Sequence, residues 1–134
     1  MDPEIAAWRR QQRTALLAKR ETLSPEDRQR AAQYVAERLS RHVAACGCSS
    51  IGLYWPIKHE INLLPWAERT GLVLCLPVVI KRNAPLEYWR WKQGEPLGRG
   101  FWDIPVPASR DVVVPDLMLA PMVGFDQANY RLGY

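Results

Sequence analysis

The sequence predicts an α/β protein built on a largely parallel sheet. Three observations predict it. Two long stretches near the N-terminus each open on a capping residue followed by proline. Short apolar runs, rich in β-branched and aromatic residues, then recur between glycine and proline punctuation. A short helix signal separates the first two of those runs, as a crossover between parallel strands requires.

Asp2-Pro3-Glu4 is a helix start, with a capping carboxylate, proline in the first turn and an acid at the positive end of the dipole. The helix is expected to run to about Glu21, with Ile5, Trp8, Leu16 and Leu17 as its apolar stripe. Ser24-Pro25-Glu26-Asp27 starts a second helix, with Ala31, Ala32, Val35, Leu39 and Val43 at helical spacing and an end near Gly47. Ser50 to Trp55 reads as a buried strand closed by proline. Asn62 is placed to cap a short helix through Ala67 and Glu68. Leu72 to Val79 is a second buried strand, and Leu86 to Trp91 alternates as a third near an edge. Lys92 to Arg110, rich in glycine and proline, is expected to be mostly loop, and Asp116 to Asp126 to be a further buried strand.

At 134 residues, 48% of them apolar, the chain can bury one core. Its N-terminus places arginines after an acidic start rather than before an apolar run, which argues against a secretory signal. No apolar run is long enough for a membrane helix, and a cytoplasmic location is expected. Cys46 and Cys48 are read as too close in sequence for easy pairing, and no histidine cluster completes a zinc spacing, so the three cysteines are expected to be thiols. The net charge of +4 suits an anionic ligand, and Arg9, Arg10, Arg13, Lys19 and Arg20 crowd the first twenty residues. A nucleic-acid binder fits poorly: the arginines sit on one element, and the six tryptophans are scattered rather than interleaved with basic residues.

Four stretches stand out: "RRQQRTALLAKRETLS", "YWPIKHEIN", "FWDIPVP" and "APMVGFDQANYRLGY". In this order and spacing the chain resembles the 5-formyltetrahydrofolate cyclo-ligase family over nearly its whole length. The resemblance implies a three-layer α/β/α fold with a Rossmann-like open sheet. It also implies a single domain, with residues 1–134 stopping before the family's glycine-rich nucleotide loop is complete. Arg131 to Tyr134 are accordingly expected to be poorly tied down.

Arg9 and Arg13 are four apart and share a helix face, so their guanidiniums either form a solvated basic face or clamp a phosphate chain. The resemblance favours the clamp: family members carry a basic residue, usually lysine, and an arginine four later, both on ATP phosphates. Arg131, Gly133 and Tyr134 match the start of the nucleotide loop, where glycine lets backbone N–H groups approach phosphates. The family has a glycine at the position of Ala128 or Asn129, which this chain lacks. Glu60 follows the first strand, where ligands bind in parallel sheets, and its carboxylate suits the N–H donors of a pterin. From the residues alone Glu60 reads equally as a surface acid beside Lys58 and His59, and Trp102 either as a core tryptophan pinning its loop or as a ring on which a ligand stacks. The resemblance assigns Glu60, Trp55 and Trp102 to the folate, while His59 lacks a placed partner and reads as a loop residue.

The activity so implied is ATP-driven cyclisation of 5-formyltetrahydrofolate to 5,10-methenyltetrahydrofolate, with ADP and phosphate released. Magnesium accompanies ATP, and its ligands are expected outside these 134 residues, so that this portion by itself is expected to be inactive. ATP and 5-formyltetrahydrofolate are the expected partners, with no nucleic acid, no membrane and a monomeric state. The alternative is a non-catalytic folate- or nucleotide-binding relative, suggested by Arg9 in place of lysine and by the altered "QAN" turn.

Overall fold

The structure, a computed structural model, describes residues 1–133. Helix α1 spans Pro3–Glu21, and its cap is Asp2, whose carboxylate accepts the Glu4 N–H at 2.7 Å. Helix α2 spans Pro25–Cys46, with the Ser24 hydroxyl accepting the Asp27 N–H at 3.1 Å. It ends at Gly47, whose φ of 66° is the left-handed conformation that glycine adopts without penalty.

Strand β1 (Ser50–Gly52) leads to the short helix α3 (Leu64–Glu68), and β2 (Val73–Val78) returns beside β1 in parallel, with Ile51 opposite Leu74. Asn62 does accept the Leu64 N–H at 3.1 Å, as its capping role requires. Strand β3 (Glu87–Arg90) turns back against β2, and β6 (Val112–Val113) pairs with β3. Strand β7 (Leu117–Met118) lies parallel to β1 on its other side. The five-stranded order is β6-β3-β2-β1-β7, and only β3 runs against the rest, so the sheet is largely parallel as expected.

The helices α2 and α3 meet this sheet through a core of Ala36, Ile51, Leu53, Leu64, Trp66, Leu74 and Leu76, with Val35, Leu39 and Val43 packed against it. The Trp66 indole donates to the Ser40 hydroxyl at 2.8 Å and locks α3 to α2. Ala31 lies outside this stripe, on the exposed side of α2. At the amino ends of the strands, Asp116 accepts the Ser49 N–H and hydroxyl, both at 2.9 Å, and the Ser50 hydroxyl accepts the Asp116 N–H. Those bonds to Ser49 hold the Asp116 carboxyl below its usual range.

Three expectations need correction. The first strand stops at Gly52 rather than Trp55, because Trp55-Pro56 leads into a tight turn. The Lys92–Arg110 segment is mostly loop as expected, and within it β4 (Leu97–Arg99) and β5 (Pro105–Pro107) form a short hairpin. The Asp116–Asp126 segment is not one strand, because β7 ends at Met118 and β8 (Gly124–Phe125) pairs instead with β9 (Arg131–Leu132). Pro121 lies between the two halves and cannot donate to a ladder. Finally, Cys46 and Cys48 are joined by a disulfide, while Cys75 is a buried free thiol.

Candidate functional site

Strand β1 is flanked by β2 on one side and by β7 on the other, so the chain reverses its direction of winding there. In open α/β sheets the crevice beyond the carboxyl ends of such strands is where ligands bind. Two segments leave those ends here, Leu53–Glu60 after β1 and Leu119–Val123 after β7. Leu119 donates its N–H to the Gly52 carbonyl at 2.8 Å, so the two begin side by side.

Arg20, near the end of α1, ties these segments together. One Nη donates to the Lys58 carbonyl at 3.1 Å and the other to the Met122 carbonyl at 3.0 Å. The sequence shows Arg20 only as one member of a basic helix. The signal that singles it out is spacing, because Ala6, Arg9, Gln12, Arg13, Leu16, Leu17 and Arg20 are the partly covered residues of α1. Ile5 and Trp8, expected in the apolar stripe, are instead 53% and 57% exposed. The covered face of α1 is therefore as much arginine as hydrocarbon, and Arg9 and Arg13 lie on it rather than on a solvated face. Leu16 seats this face on the β8–β9 hairpin, where a Cβ at Gly124 would come within 2.6 Å of its Cδ1.

Glu60 closes a tight turn. Its N–H donates to the Ile57 carbonyl at 3.0 Å, and its carboxylate accepts the Ile57 N–H at 2.9 Å. Lys58 and His59, at the centre, have φ of 48° and 61°, the left-handed pair of a type I′ turn with no glycine to relax it. Each such residue costs about 1–3 kcal/mol, a strain that collects where function demands a fixed shape. The Tyr54 hydroxyl donates to the Ile61 carbonyl at 2.8 Å and braces the turn from behind. Glu60 also lines an open groove of about 320 Å³ with Pro25, Arg28, Gln29 and Asn62. A larger groove of about 570 Å³, between α2 and α3, holds none of the residues singled out by the sequence.

Trp55 is half-buried and stands edge-on to Trp91, with ring centroids 6.0 Å apart. Trp91 is 2% exposed, and its indole N–H has no hydrogen-bond partner among the described residues. Trp102 sits elsewhere, at the tip of the β4–β5 hairpin, 69% exposed and touching Phe101. It and Asp103 have φ of 56° and 60°, and Ile104 donates to the Phe101 carbonyl at 3.2 Å, so this tip too is a type I′ turn. Arg99 donates to the Asp103 carbonyl at 3.1 Å and steadies it.

Arg131 lies in β9 opposite Phe125, and Leu132 beside it is buried, so this segment is paired rather than loosely held. The Asp126 carboxylate accepts the N–H groups of Ala128 and Tyr130, both at 2.9 Å, and shapes the intervening loop. Asn129 takes a φ of 66° there, the conformation for which glycine was expected, and asparagine tolerates it better than most residues. Gly133 has open space around it, and Tyr134 lies outside the described residues.

The fold matches solved proteins closely. The NMR structure of Aquifex aeolicus 5,10-methenyltetrahydrofolate synthetase superposes with a TM-score of 0.80 at 30% identity, over 94% of this chain and 66% of that one. A 5,10-methenyltetrahydrofolate synthetase from Mycoplasma pneumoniae superposes with a TM-score of 0.70 at 22% identity, over 94% of this chain and 71% of that one, and shares the fold. Among curated proteins none matches the chain. The model of the 5-formyltetrahydrofolate cyclo-ligase family matches residues 5–134, and the chain belongs to that family.

Proposed function

We propose that the protein cyclises 5-formyltetrahydrofolate to 5,10-methenyltetrahydrofolate at the expense of ATP, with the crevice beside Arg20 as the meeting point of the two ligands. The chain spans 66% and 71% of the two solved chains, and the activity is proposed for the full-length protein. The observation that carries the reading is the Arg20 bridge across the winding reversal of the sheet. It draws the arginine-bearing face of α1 to the loops beyond β1 and β7.

In this reading the γ-phosphate of ATP passes to the formyl oxygen, which becomes a good leaving group. The neighbouring amine nitrogen attacks the formyl carbon, and phosphate departs. Such a transfer needs two ligands held in line and the phosphoryl charge neutralised. Arg9 and Arg13 supply fixed donors for the triphosphate, and Arg131 with the Gly133 backbone adds to them. Glu60 accepts from the pterin's N–H groups, and Trp55 and Trp102 provide apolar walls. Among the described residues no group of three His, Cys, Asp or Glu side chains could hold a metal ion, and magnesium is proposed to enter with ATP and to find its protein ligands outside residues 1–134. No helix is long and apolar enough to cross a membrane.

The test is methenyl-folate formation by the full-length protein, followed by absorbance with ATP and magnesium, beside calorimetric titration of each ligand. Turnover is the expected result. Binding of either ligand without turnover would identify a non-catalytic relative, and binding of neither would overturn the reading.

A further inference from the structure

We propose that Cys46-Gly47-Cys48 is a reversible thiol–disulfide exchange site, open to low-molecular-weight thiols while the protein stays folded. Three observations carry it. Cys46 is the last residue of α2, and Gly47 turns the chain with a φ of 66°, so that the Cα atoms of Cys46 and Cys48 stand 5.4 Å apart and their sulfurs are bonded. That separation lies within the range a disulfide spans. Cys46 is exposed and Cys48 half-buried, so a small thiol reaches the bond from solvent.

The third observation is what the bond does not do. It closes a ring around a single intervening residue. The entropy a disulfide removes from the unfolded chain grows with the length of the loop it closes, so this one contributes little to folding. The local structure has other anchors. Immediately after Cys48, Ser49 donates twice to Asp116, and Ser50 pairs with Val73. Opening the bond therefore leaves β1 in place.

The exchange balances simply. A thiolate RS⁻ attacks the exposed Cys46 sulfur, forming a mixed disulfide and releasing Cys48 as a thiolate. Cys46 is the sulfur less suited to leave, since the negative end of the α2 dipole disfavours charge there. A second RS⁻ attacks the external sulfur of the mixed disulfide, giving RSSR and the Cys46 thiolate. Two electrons pass from the two thiols to the protein disulfide, and their two protons end on Cys46 and Cys48. The third cysteine stays out: Cys75 is buried, its thiol donates to the Ile51 carbonyl at 3.3 Å, and burial pushes its pKa up to about 11.

The experiment equilibrates the protein in glutathione buffers of stepped oxidised-to-reduced ratio, quenches with acid, alkylates and weighs the intact chain. The expected result is a two-electron transition at millimolar glutathione in which Cys46 and Cys48 gain alkyl groups together. Circular dichroism is unchanged across it, and Cys75 is labelled only in denaturant. In buffers rich in oxidised glutathione, Cys48→Ser should carry one glutathione on Cys46, because no neighbouring protein thiol remains to expel it. The proposal is overturned if oxidised glutathione adds separately to each cysteine instead of closing the pair, or if the bond resists millimolar dithiothreitol until the protein unfolds.

Discussion

The Arg20 guanidinium holds the Lys58 carbonyl with one nitrogen and the Met122 carbonyl with the other, joining segments 38 and 102 residues away along the chain. Lysine has the same charge but one compact ammonium, which cannot present the same planar fork. Arg20→Lys is therefore expected to behave almost like Arg20→Ala. Each should lower affinity for 5-formyltetrahydrofolate about tenfold while costing about 1–3 kcal/mol of stability. Calorimetric titration and urea unfolding measure the two effects, and a lysine variant with full affinity would show that only charge matters.

Glu60 serves both its own turn and the proposed pterin contact, and two substitutions separate these roles. Glu60→Gln keeps an oxygen to accept the Ile57 N–H, whereas Glu60→Ala removes it. Charge-assisted hydrogen bonds are worth about 1.5–3 kcal/mol, so the glutamine variant should lose about 10- to 100-fold in folate affinity while losing less stability than Glu60→Ala, which has no oxygen for the Ile57 N–H. ATP affinity should fall less in both variants. Equal losses for both ligands in a well-folded Glu60→Gln protein would refute the assignment.

How far the sequence carried the reading depends on the range of the interactions involved. Both long helices were legible to within a residue or two, because Asp2 and Ser24 cap through bonds two and three residues away. The hairpins were not. The β4–β5 pair turns on Trp102 and Asp103 in left-handed conformations usually reserved for glycine, so no turn signal announced it. For β8–β9 the turn near Asn129 was read, but the two-residue strands it joins were too short to show a pattern. The resemblance named Arg9, Arg13 and Glu60, but Arg20 emerged only once Leu16 was seen to seat that helix face on Gly124. The Cys46–Cys48 bond was missed because sequence proximity was weighed without the turn that Gly47 makes.

Gly52 makes room for a ring. A Cβ there would lie 2.7 Å from Cε1 of Tyr88, 3.0 Å from its Cδ1 and 3.2 Å from the Pro115 Cγ. Tyr88 belongs to β3, so its ring reaches across β2 to cover β1 at its one residue without a side chain. Gly52→Ala should cost about 1–3 kcal/mol by overpacking. Adding Tyr88→Ala should recover part of that loss, so the double mutant is less destabilised than the sum of the singles. Strict additivity in urea unfolding would show that the ring simply moves aside.

The Glu87–Arg110 pair makes a small part of the fold's stability depend on acid pH. Arg110 donates Nε and Nη2 to the two carboxylate oxygens at 2.9 and 2.7 Å, and the Trp89 indole donates at 3.0 Å. These bonds, Arg110 first, hold the Glu87 carboxyl down at about 2 instead of 4.5. A depressed carboxyl pKa contributes stability that is fully present above the unfolded value and is lost as pH falls through the folded one. Wild-type protein should therefore lose more stability than Glu87→Gln between pH 4.5 and 2, and the two should run parallel above pH 5. Urea midpoints across that range provide the measurement, and parallel curves throughout would remove the pair from the account.

Trp102 offers the sharpest separation of stability from binding. It is 69% exposed and held at φ 56°, so the fold gains little from its ring and bears the strain of its backbone. Glycine adopts that conformation freely, and relief of a left-handed side chain is worth about 1–2 kcal/mol. Trp102→Gly should therefore raise the melting temperature by about 3–6 °C, against the usual effect of removing a tryptophan. If the ring forms a wall for the folate, the same variant should bind 5-formyltetrahydrofolate about 3- to 10-fold more weakly, the loss of one aromatic stack. A lower melting temperature would instead make the ring a structural pin of the hairpin. A stabilised variant with full folate affinity would leave the strained tip without the ligand contact proposed for it.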